Sequence, residues 1–207
     1  MTQFKTEQEN FWAEDFGKAY IERNKSNHLL ASNLNFFSKA LAQAGQVHSC
    51  KEFGANIGMN LKALKLLFPD ISLKAIEINK DAAAELAKVI GQENIFNDSI
   101  FNATDSEKVE LALIKGVLIH INPDMLQDVY QKLYDASNKF ILIAEYYNPS
   151  PVSIPYRGHS DKLFKRDFAG EFLDKFSDTE LVDYGFAYKR DRAFPLDDIT
   201  WFLIKKK

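Results

Sequence analysis

The chain has 207 residues, a mass of 23.7 kDa and 46% hydrophobic residues, which is enough for one domain with a proper core. Its formal net charge of -3 and pI near 5.8 argue against a nucleic-acid partner held through phosphate neutralisation and favour a small-molecule substrate. Cys50 is the only cysteine, so no internal disulfide forms, and its apolar strand indicates a core residue over a reactive thiol. Because neither a signal-peptide core nor an apolar run of membrane length is present, we expect a soluble, cytoplasmic protein without a membrane partner. We predict no metal site.

Residues 6–44 predict two helices. The first, from residue 6 to about 23, carries an aromatic face behind an acidic first turn. It would pack against a sheet or act as a lid. The second, from 27 to about 44, ends at Gly45, a residue typical of the position after a helix. We therefore assign residues 1–44 to a helical cap and residues 45–207 to the main domain.

The stretch that follows has the order strand, turn, helix, strand. A strand ending at Glu52 leads into residues 54–58, Gly-Ala-Asn-Ile-Gly, and then into a helix that Pro69 stops. Small residues let a ligand approach the backbone closely, and the helix directs its free N–H groups toward that ligand. The next strand ends at Glu77, whose two oxygens can bind both hydroxyls of a ribose. A tight turn without a ligand is the alternative, but the acid about 20 residues later favours half of a nucleotide site.

The spacing of this turn resembles motif I of the class I S-adenosylmethionine (AdoMet) methyltransferases, E/D-x-G-x-G-x-G. Glu52, Gly54 and Gly58 match it, and Asn56 stands where the middle glycine usually lies. Asparagine tolerates left-handed backbone better than other residues with a side chain, so the turn can keep its shape. The resemblance implies AdoMet as the cofactor.

The alternation of strands and helices continues after this half-site. Asn79 can cap a helix that ends at Gly91, and a short third strand precedes Asp98 and Ser99. The apolar run 111–114 predicts a buried parallel strand, and a proline at residue 123 marks the start of the next helix. His120 lies between them, at the edge where open α/β sheets place their chemistry, although packing is the alternative for a lone histidine.

The fifth strand, residues 140–145, opens into the longest loop of the chain. Loops of this length in a compact domain are usually functional or disordered. Its aromatic rings and basic side chains suit an anionic, hydroxyl-rich substrate, since arginine binds a carboxylate or phosphate through two hydrogen bonds. A solvated surface loop is the alternative. The candidate substrate-binding residues are Tyr146, Asn148, Tyr156, Arg157, His159, Lys162, Lys165 and Arg166.

The end of the chain decides between two folds. A helix over residues 167–176 is followed by two alternating strands with a turn around Pro195 and Asp197. An antiparallel terminal hairpin after five βα units predicts the α/β, Rossmann-like class I methyltransferase sheet, of order 3-2-1-4-5-7-6 with strand 7 antiparallel. A dinucleotide-binding Rossmann sheet would end in a parallel sixth strand.

Four phrases resemble a smaller group, the pseudaminic acid biosynthesis-associated methylases: FWAEDFGKAYIERN, EFGANIGMNL, KGVLIHINPDML and YRGHSDKLFKRDFAGE. Asn56 fits the turn of this group. The resemblance implies methyl transfer to a sugar acid or nucleotide-activated sugar of bacterial surface glycans. We hypothesise a cofactor site in which Glu77 holds the ribose, Asp98 and Ser99 the adenine, and Arg23 the carboxylate. The role of Asp98 is what the class I resemblance implies, and an ordinary surface-loop acid is the alternative. The full predicted set is Tyr20, Arg23, Glu52, Gly54, Ala55, Asn56, Gly58, Glu77, Ile78, Asp98, Ser99, Lys115 and Gly116.

Such a reaction displaces the sulfonium group in line, so the enzyme mainly aligns the acceptor and excludes water. A hydroxyl acceptor would need a base within about 3 Å, and the candidate catalytic residues are His120, Glu145 and Tyr147. Two alternatives are a non-catalytic AdoMet-binding regulatory protein and a nicotinamide-dependent oxidoreductase, which would need a second nucleotide half-site. The acceptor atom and the oligomeric state stay open.

Overall fold

Seven strands form one mixed sheet in the computed structural model, which describes residues 5–13, 26–104, 107–155 and 163–207. A separate two-stranded ladder pairs β6 with β7. The strands are β1 Ser49–Phe53, β2 Ser72–Ile76, β3 Ile95–Phe96, β4 Val109–Lys115, β5 Ser137–Glu145, β6 Val152–Ser153, β7 Phe164–Lys165, β8 Thr179–Ala187 and β9 Ile199–Lys206.

The order of the sheet is β3-β2-β1-β4-β5-β9-β8. The first five of these strands pair in parallel, whereas β9 runs antiparallel to both β5 and β8. This is the predicted order 3-2-1-4-5-7-6 with its antiparallel seventh strand. The fold prediction is therefore confirmed.

Helices flank the sheet, and some but not all of their ends lie at the capping residues predicted from the sequence. Asn79 begins one helix as predicted, because its Oδ1 accepts hydrogen bonds from the backbone N–H groups of Asp81 and Ala82. The second predicted helix ends at Ala40, and a turn connects it to Gly45. The described α-helices are α1 Glu7–Ala13, α2 Asn27–Ala40, α3 Met59–Leu67, α4 Lys80–Ile90, α5 Leu126–Ala136 and α6 Phe168–Lys175.

The core has two layers, one on each face of the sheet. In β4, Leu111 and Leu113 belong to the cluster that includes α2 and α3, while Ala112 and Ile114 belong to the cluster that includes α5 and α6. Burial on both faces explains the continuous apolar run of this strand. The central strands are therefore buried on both faces, and polar residues become accessible only beyond the ends of the strands.

The helical segment of residues 27–40 packs against α3 and against the terminal hairpin of β8 and β9. The division into a cap of residues 1–44 and a domain of residues 45–207 stays a prediction. Of the helices in the described ranges, none is both long and apolar enough to cross a membrane.

Candidate functional site

A cavity of about 820 Å³ lies at the carboxyl edge of the parallel strands. This volume is within the range typical of small-molecule sites. The walls come from the turn after β1 and from the segments that follow β2, β3 and β4, together with α1, α2 and the connection between β8 and β9. The sheet topology therefore gathers residues that lie far apart in sequence.

The turn after β1 has three residues in left-handed backbone, with φ of 75° at Gly54, 49° at Asn56 and 79° at Gly58. Asn56 is the one residue other than glycine with positive φ in the described part of the chain. A Cβ at Gly54 would lie 2.7 Å from Cγ2 of Val117, so the glycine allows this close approach. Asn56 thus accepts the backbone conformation that the motif requires, as expected.

Glu77 follows β2 and fixes the turn from the side. Its carboxylate accepts hydrogen bonds from the backbone N–H of Asn56 at 2.6 Å and of Asn79 at 2.8 Å. Burial raises the pKa of this carboxyl group, and the backbone N–H donors offset part of that rise. Glu77 lines the cavity, and each oxygen retains acceptor capacity, so the geometry fits two ribose hydroxyls.

Asp98 and Ser99 follow β3, also on the cavity wall. Oδ1 of Asp98 accepts from the backbone N–H of Ser99 at 2.6 Å and from Nδ2 of Asn102 at 3.1 Å. Ser99 Oγ donates its single proton to the carboxylate of Glu9 in α1. Oδ2 of Asp98 therefore offers an acceptor for an exocyclic amine, whereas the Ser99 hydroxyl proton is already in use.

Helix α1 is attached to the ends of three strands. Besides the bond from Ser99 to Glu9, Nδ2 of Asn79 donates to the carbonyl oxygens of Trp12 at 3.3 Å and Ala13 at 3.1 Å. The ring centroids of Trp12 and His120 lie 4.5 Å apart. Glu9 and Trp12 line the cavity, so this helix forms part of its wall.

Sequence reasoning missed Glu9 and Trp12 as cavity residues. Thr6 and Glu9 form a capping box, in which the backbone N–H of Thr6 donates to Glu9 at 2.8 Å, and the spacing of these two residues was a readable signal. Tyr20 and Arg23, the cofactor-binding residues predicted in the first helix, lie outside the described residues.

Two buried acids stand beneath the cavity wall without lining it. Oε1 of Glu52 accepts from Nδ2 of Asn60 at 2.6 Å, and burial raises the pKa of Glu52 to about 8. Oε1 of Glu145 accepts from the backbone N–H groups of Val117 and Leu118, both at 2.9 Å, and burial raises its pKa to about 7. Glu145 thus holds the turn after β4 in place.

The predicted site residues fall into three groups. Those on the cavity wall are Gly54, Ala55, Asn56, Glu77, Ile78, Asp98, Ser99, Lys115, Gly116, His120 and Tyr146. Those described but not on the wall are Glu52, Gly58, Glu145, Tyr147, Asn148, Lys165 and Arg166. Those outside the described residues are Tyr20, Arg23, Tyr156, Arg157, His159 and Lys162. The functional roles of all three groups stay predictions.

The base of the long loop is organised by pairing. Tyr147 and Arg166 form a backbone bridge, and the guanidinium Nε of Arg166 donates to Glu171 at 2.6 Å. The hydroxyl of Tyr130 donates to the second oxygen of Glu171 at 2.8 Å. Arg166 therefore anchors the loop to α6 and does not reach the cavity, which differs from the substrate contact we expected.

Residues from α2 and from the connection between β8 and β9 also line the cavity, and sequence reasoning did not assign them to the site. They are Ser26, His28, Leu29, Ser32, Lys189, Pro195, Leu196 and Asp197. Because β9 is antiparallel to β5, its first residue lies at the carboxyl edge of the parallel strands. The predicted topology already contained this placement.

The sheet order, the left-handed turn after β1 and the cavity above it together define the class I methyltransferase fold. Three similar solved structures are AdoMet-dependent methyltransferases. A 1,6-didemethyltoxoflavin-N1-methyltransferase from Burkholderia thailandensis, with S-adenosylhomocysteine (AdoHcy) bound, has a TM-score of 0.74 at 15% identity over 100% of this chain and 93% of that one. Magnesium protoporphyrin IX methyltransferase from Synechocystis PCC 6803, with AdoMet bound, gives 0.66 at 9% over 100% of both chains.

The third, an AdoMet-dependent methyltransferase from Clostridium acetobutylicum, has a TM-score of 0.64 at 10% identity over 92% of this chain and 97% of that one. At such identities the likeness establishes the fold. No protein-family model and no curated protein matches the chain. The resemblance to the pseudaminic acid-associated group therefore stays a prediction.

Proposed function

We propose that the chain is an AdoMet-dependent methyltransferase that acts on a small, polar, anionic acceptor, such as a sugar acid or a nucleotide-activated sugar of bacterial surface glycans. The observation that carries the proposal is the bond between the left-handed turn and the acid after β2, from Asn56 N to Glu77, at the wall of a large cavity. The AdoMet and AdoHcy bound in similar solved structures support this cofactor. The glycan setting rests on the resemblance of the four sequence phrases.

The residues present fit this cofactor. Glu77 would bind the ribose hydroxyls and Oδ2 of Asp98 the adenine amine, because both groups offer acceptor oxygens on the cavity wall. The backbone of residues 54–56, which lines the cavity, would lie against the sulfur-bearing chain of the cofactor, and Gly54 allows the turn to pass close to Val117. When bound, AdoMet supplies a methyl group on a positively charged sulfur. The acceptor attacks the methyl carbon and displaces the sulfur in line.

The work of the protein is then alignment of the acceptor and exclusion of water. Helix α1 contributes by covering the nucleoside side of the cavity through Glu9 and Trp12. An amine acceptor need only arrive unprotonated. A hydroxyl acceptor would give its proton to His120, since His120 lines the cavity whereas Glu145 lies behind the wall, with its Oε1 bound to two backbone N–H groups.

The test is incubation of the protein with methyl-labelled AdoMet and a bacterial small-metabolite extract, followed by anion-exchange separation of labelled products. We expect one labelled anionic product. A labelled neutral or cationic product would contradict the anionic acceptor. His120→Ala should lower turnover of a hydroxyl acceptor with little change in AdoHcy affinity, and full turnover would make His120 a packing residue.

A thermal-shift panel of AdoMet, AdoHcy and NAD(P)H tests the cofactor independently. We expect stabilisation by the first two, because a ligand that binds only the folded state raises its stability. Stabilisation by NAD(P)H alone would overturn the proposal. AdoMet binding without methylation of any metabolite would favour a regulatory protein.

A further inference from the structure

The cavity has a second half, beyond the nucleoside side. The turn after β1, Glu77 and Asp98 surround one half, over β1, β2 and β3. The other half lies over β4, β5 and the start of β9, and its wall includes Lys115 from β4 and Ser32 from α2. The two halves meet at β1 and β4, which are neighbours, with Phe53 of β1 paired to Ile114 of β4.

Lys115 brings a cation to this boundary without a direct counter-ion. Its side chain is half-buried, its Nζ lies 5.6 Å from the ring centroid of Phe36, and it forms neither an ion pair nor a hydrogen bond with a described residue. Burial lowers the pKa of Lys115, and the more distant Glu52, Asp197 and Glu145 raise it. A partly buried ammonium group lowers the stability of the fold unless an anion pairs with it.

Ser32 supplies a second unsatisfied group in the same region. The residue is 1% exposed, and its Oγ has no hydrogen-bond partner among the described residues. Ser32 and Phe36 are four residues apart in α2, so they lie on the same face of the helix. Lys115 Nζ lies 5.6 Å from the centroid of the Phe36 ring, and both Ser32 and Lys115 line the cavity, so α2 and the end of β4 contribute a hydroxyl and an ammonium group to the same wall. Buried polar groups normally find partners, so the pair points to a ligand.

We propose that Lys115 and Ser32 form a carboxylate-binding site at the boundary between the two halves of the cavity. The ammonium group supplies a charge-assisted hydrogen bond, and the hydroxyl of Ser32 donates a second one to the same carboxylate. The carboxylate comes from the amino-acid end of the cofactor or from a sugar-acid acceptor. Lys115 and Ser32 would bind either carboxylate through the same hydrogen bonds. Only the choice between the cofactor and the acceptor rests on the proposed function.

The first experiment separates the sources by calorimetry with AdoHcy and 5′-methylthioadenosine, which shares the nucleoside but lacks the amino acid. Lys115→Met removes the charge and keeps an apolar stem, Lys115→Arg keeps the charge, and Ser32→Ala tests the hydroxyl. Lys189→Met is the matched control, because Lys189 also borders the cavity but is exposed and already paired with Asp198 at 3.0 Å. The second experiment titrates the protein, with and without AdoHcy, with N-acetylneuraminic acid and with its methyl ester.

If the carboxylate is that of the cofactor, Lys115→Met weakens AdoHcy binding about 10- to 100-fold and Ser32→Ala about 3- to 10-fold, with methylthioadenosine affinity unchanged. If the carboxylate is that of the acceptor, the variants bind AdoHcy with unchanged affinity. Wild type then binds N-acetylneuraminic acid but not its methyl ester, and Lys115→Met no longer binds the acid. Lys115→Arg keeps most of the affinity in either case, and Lys189→Met changes nothing.

The proposal is overturned if Lys115→Met binds AdoHcy as wild type does and neither probe distinguishes the two proteins. A wild-type protein that binds the acid through Lys115 but binds neither AdoHcy nor methylthioadenosine would refute the proposed function while supporting this site. A protein that binds none of the probes would refute both.

Discussion

The bond between Ser99 and Glu9 should hold α1 on the sheet. Ser99 Oγ donates to one carboxylate oxygen of Glu9, and the other oxygen accepts from the backbone N–H of Thr6 at the start of the same helix. One side chain therefore caps α1 and also attaches it to the segment after β3. We expect that removing either partner releases the helix from the cavity before the sheet unfolds.

The size of the effect follows from the contacts. A hydrogen bond to a charged group contributes about 1.5–3 kcal/mol to the free energy of unfolding. Glu9→Ala also loses the capping-box hydrogen bond from the backbone N–H of Thr6, whereas the Thr6 hydroxyl still accepts from the backbone N–H of residue 9. Ser99→Ala also loses an acceptor for the backbone N–H of Phe101, at 3.1 Å. Because each single change removes a second contact, only a double-mutant cycle isolates the bond, and we expect a coupling free energy on the order of 1–2 kcal/mol.

Fluorescence provides the assay. The chain has two tryptophans, Trp12 in α1 and Trp201 in the core, so Trp201→Phe leaves Trp12 as the reporter of α1. Denaturant titrations in this background would give the free energy of undocking for wild type, both single variants and the double variant. In the variants, the Trp12 signal should change at lower denaturant concentration than far-UV circular dichroism does.

A matched cycle pairs Glu9→Ala with Ser137→Ala. Ser137 begins β5, whose nine residues end at the cavity edge, so it lies roughly 26 Å from that edge at 3.3 Å per residue. The effects of these two changes on the free energy of undocking should be additive. Additivity of Glu9→Ala with Ser99→Ala, within about 0.5 kcal/mol, would refute the attachment.

Three further predictions concern the turn and the buried acids. Gly58→Ala places a Cβ 2.5 Å from Leu86 at a φ of +79°, so the free energy of unfolding should fall by about 2–3 kcal/mol in denaturant titrations, and a loss under about 1 kcal/mol would contradict this. Glu77→Ala removes the acceptor at the ribose position, so AdoHcy affinity measured by calorimetry should fall at least about tenfold, and an unchanged affinity would remove Glu77 from the site. Glu145 has a folded-state pKa of about 7, above its unfolded value of about 4.3. Its contribution to stability is therefore fully present below a pH of about 4.3 and is lost as the pH rises through 7. The stability of wild type relative to Glu145→Gln should therefore decline from pH 5 to 8, and parallel pH profiles would contradict this.

Local signals in the sequence predicted the frame of the site. Asn56 has the backbone conformation that its position in the turn requires, and Asn79 caps the helix where a side-chain acceptor was expected. Glu77 lies on the cavity wall because a strand that ends on an acid places it at the edge of the sheet. These features depend on a few neighbouring residues, so a sequence pattern can encode them.

The remaining features depend on tertiary structure. Whether Glu145 faces the cavity or binds backbone N–H groups depends on how the turn after β4 folds back, and the strand pattern does not determine this. Arg166 lies only five residues before its partner, Glu171, but the sequence does not show whether the guanidinium turns toward α6 or toward the cavity. The placement of Ser32 and Lys115 on the wall of one cavity requires the packing of α2 on the sheet.

Strand β9 lies between β5 and β8, although it follows both in sequence. The edge of β5 that pairs with β9, over residues 140–145, has no partner until residues 200–205 have left the ribosome. During synthesis, the nascent chain therefore exposes an apolar, unpaired edge in the middle of its future sheet, the kind of surface that chaperones bind and that aggregates. A premature stop codon between β8 and β9 would leave β8 without its neighbour as well, so we expect such truncated chains to be degraded and not to accumulate as partly active forms.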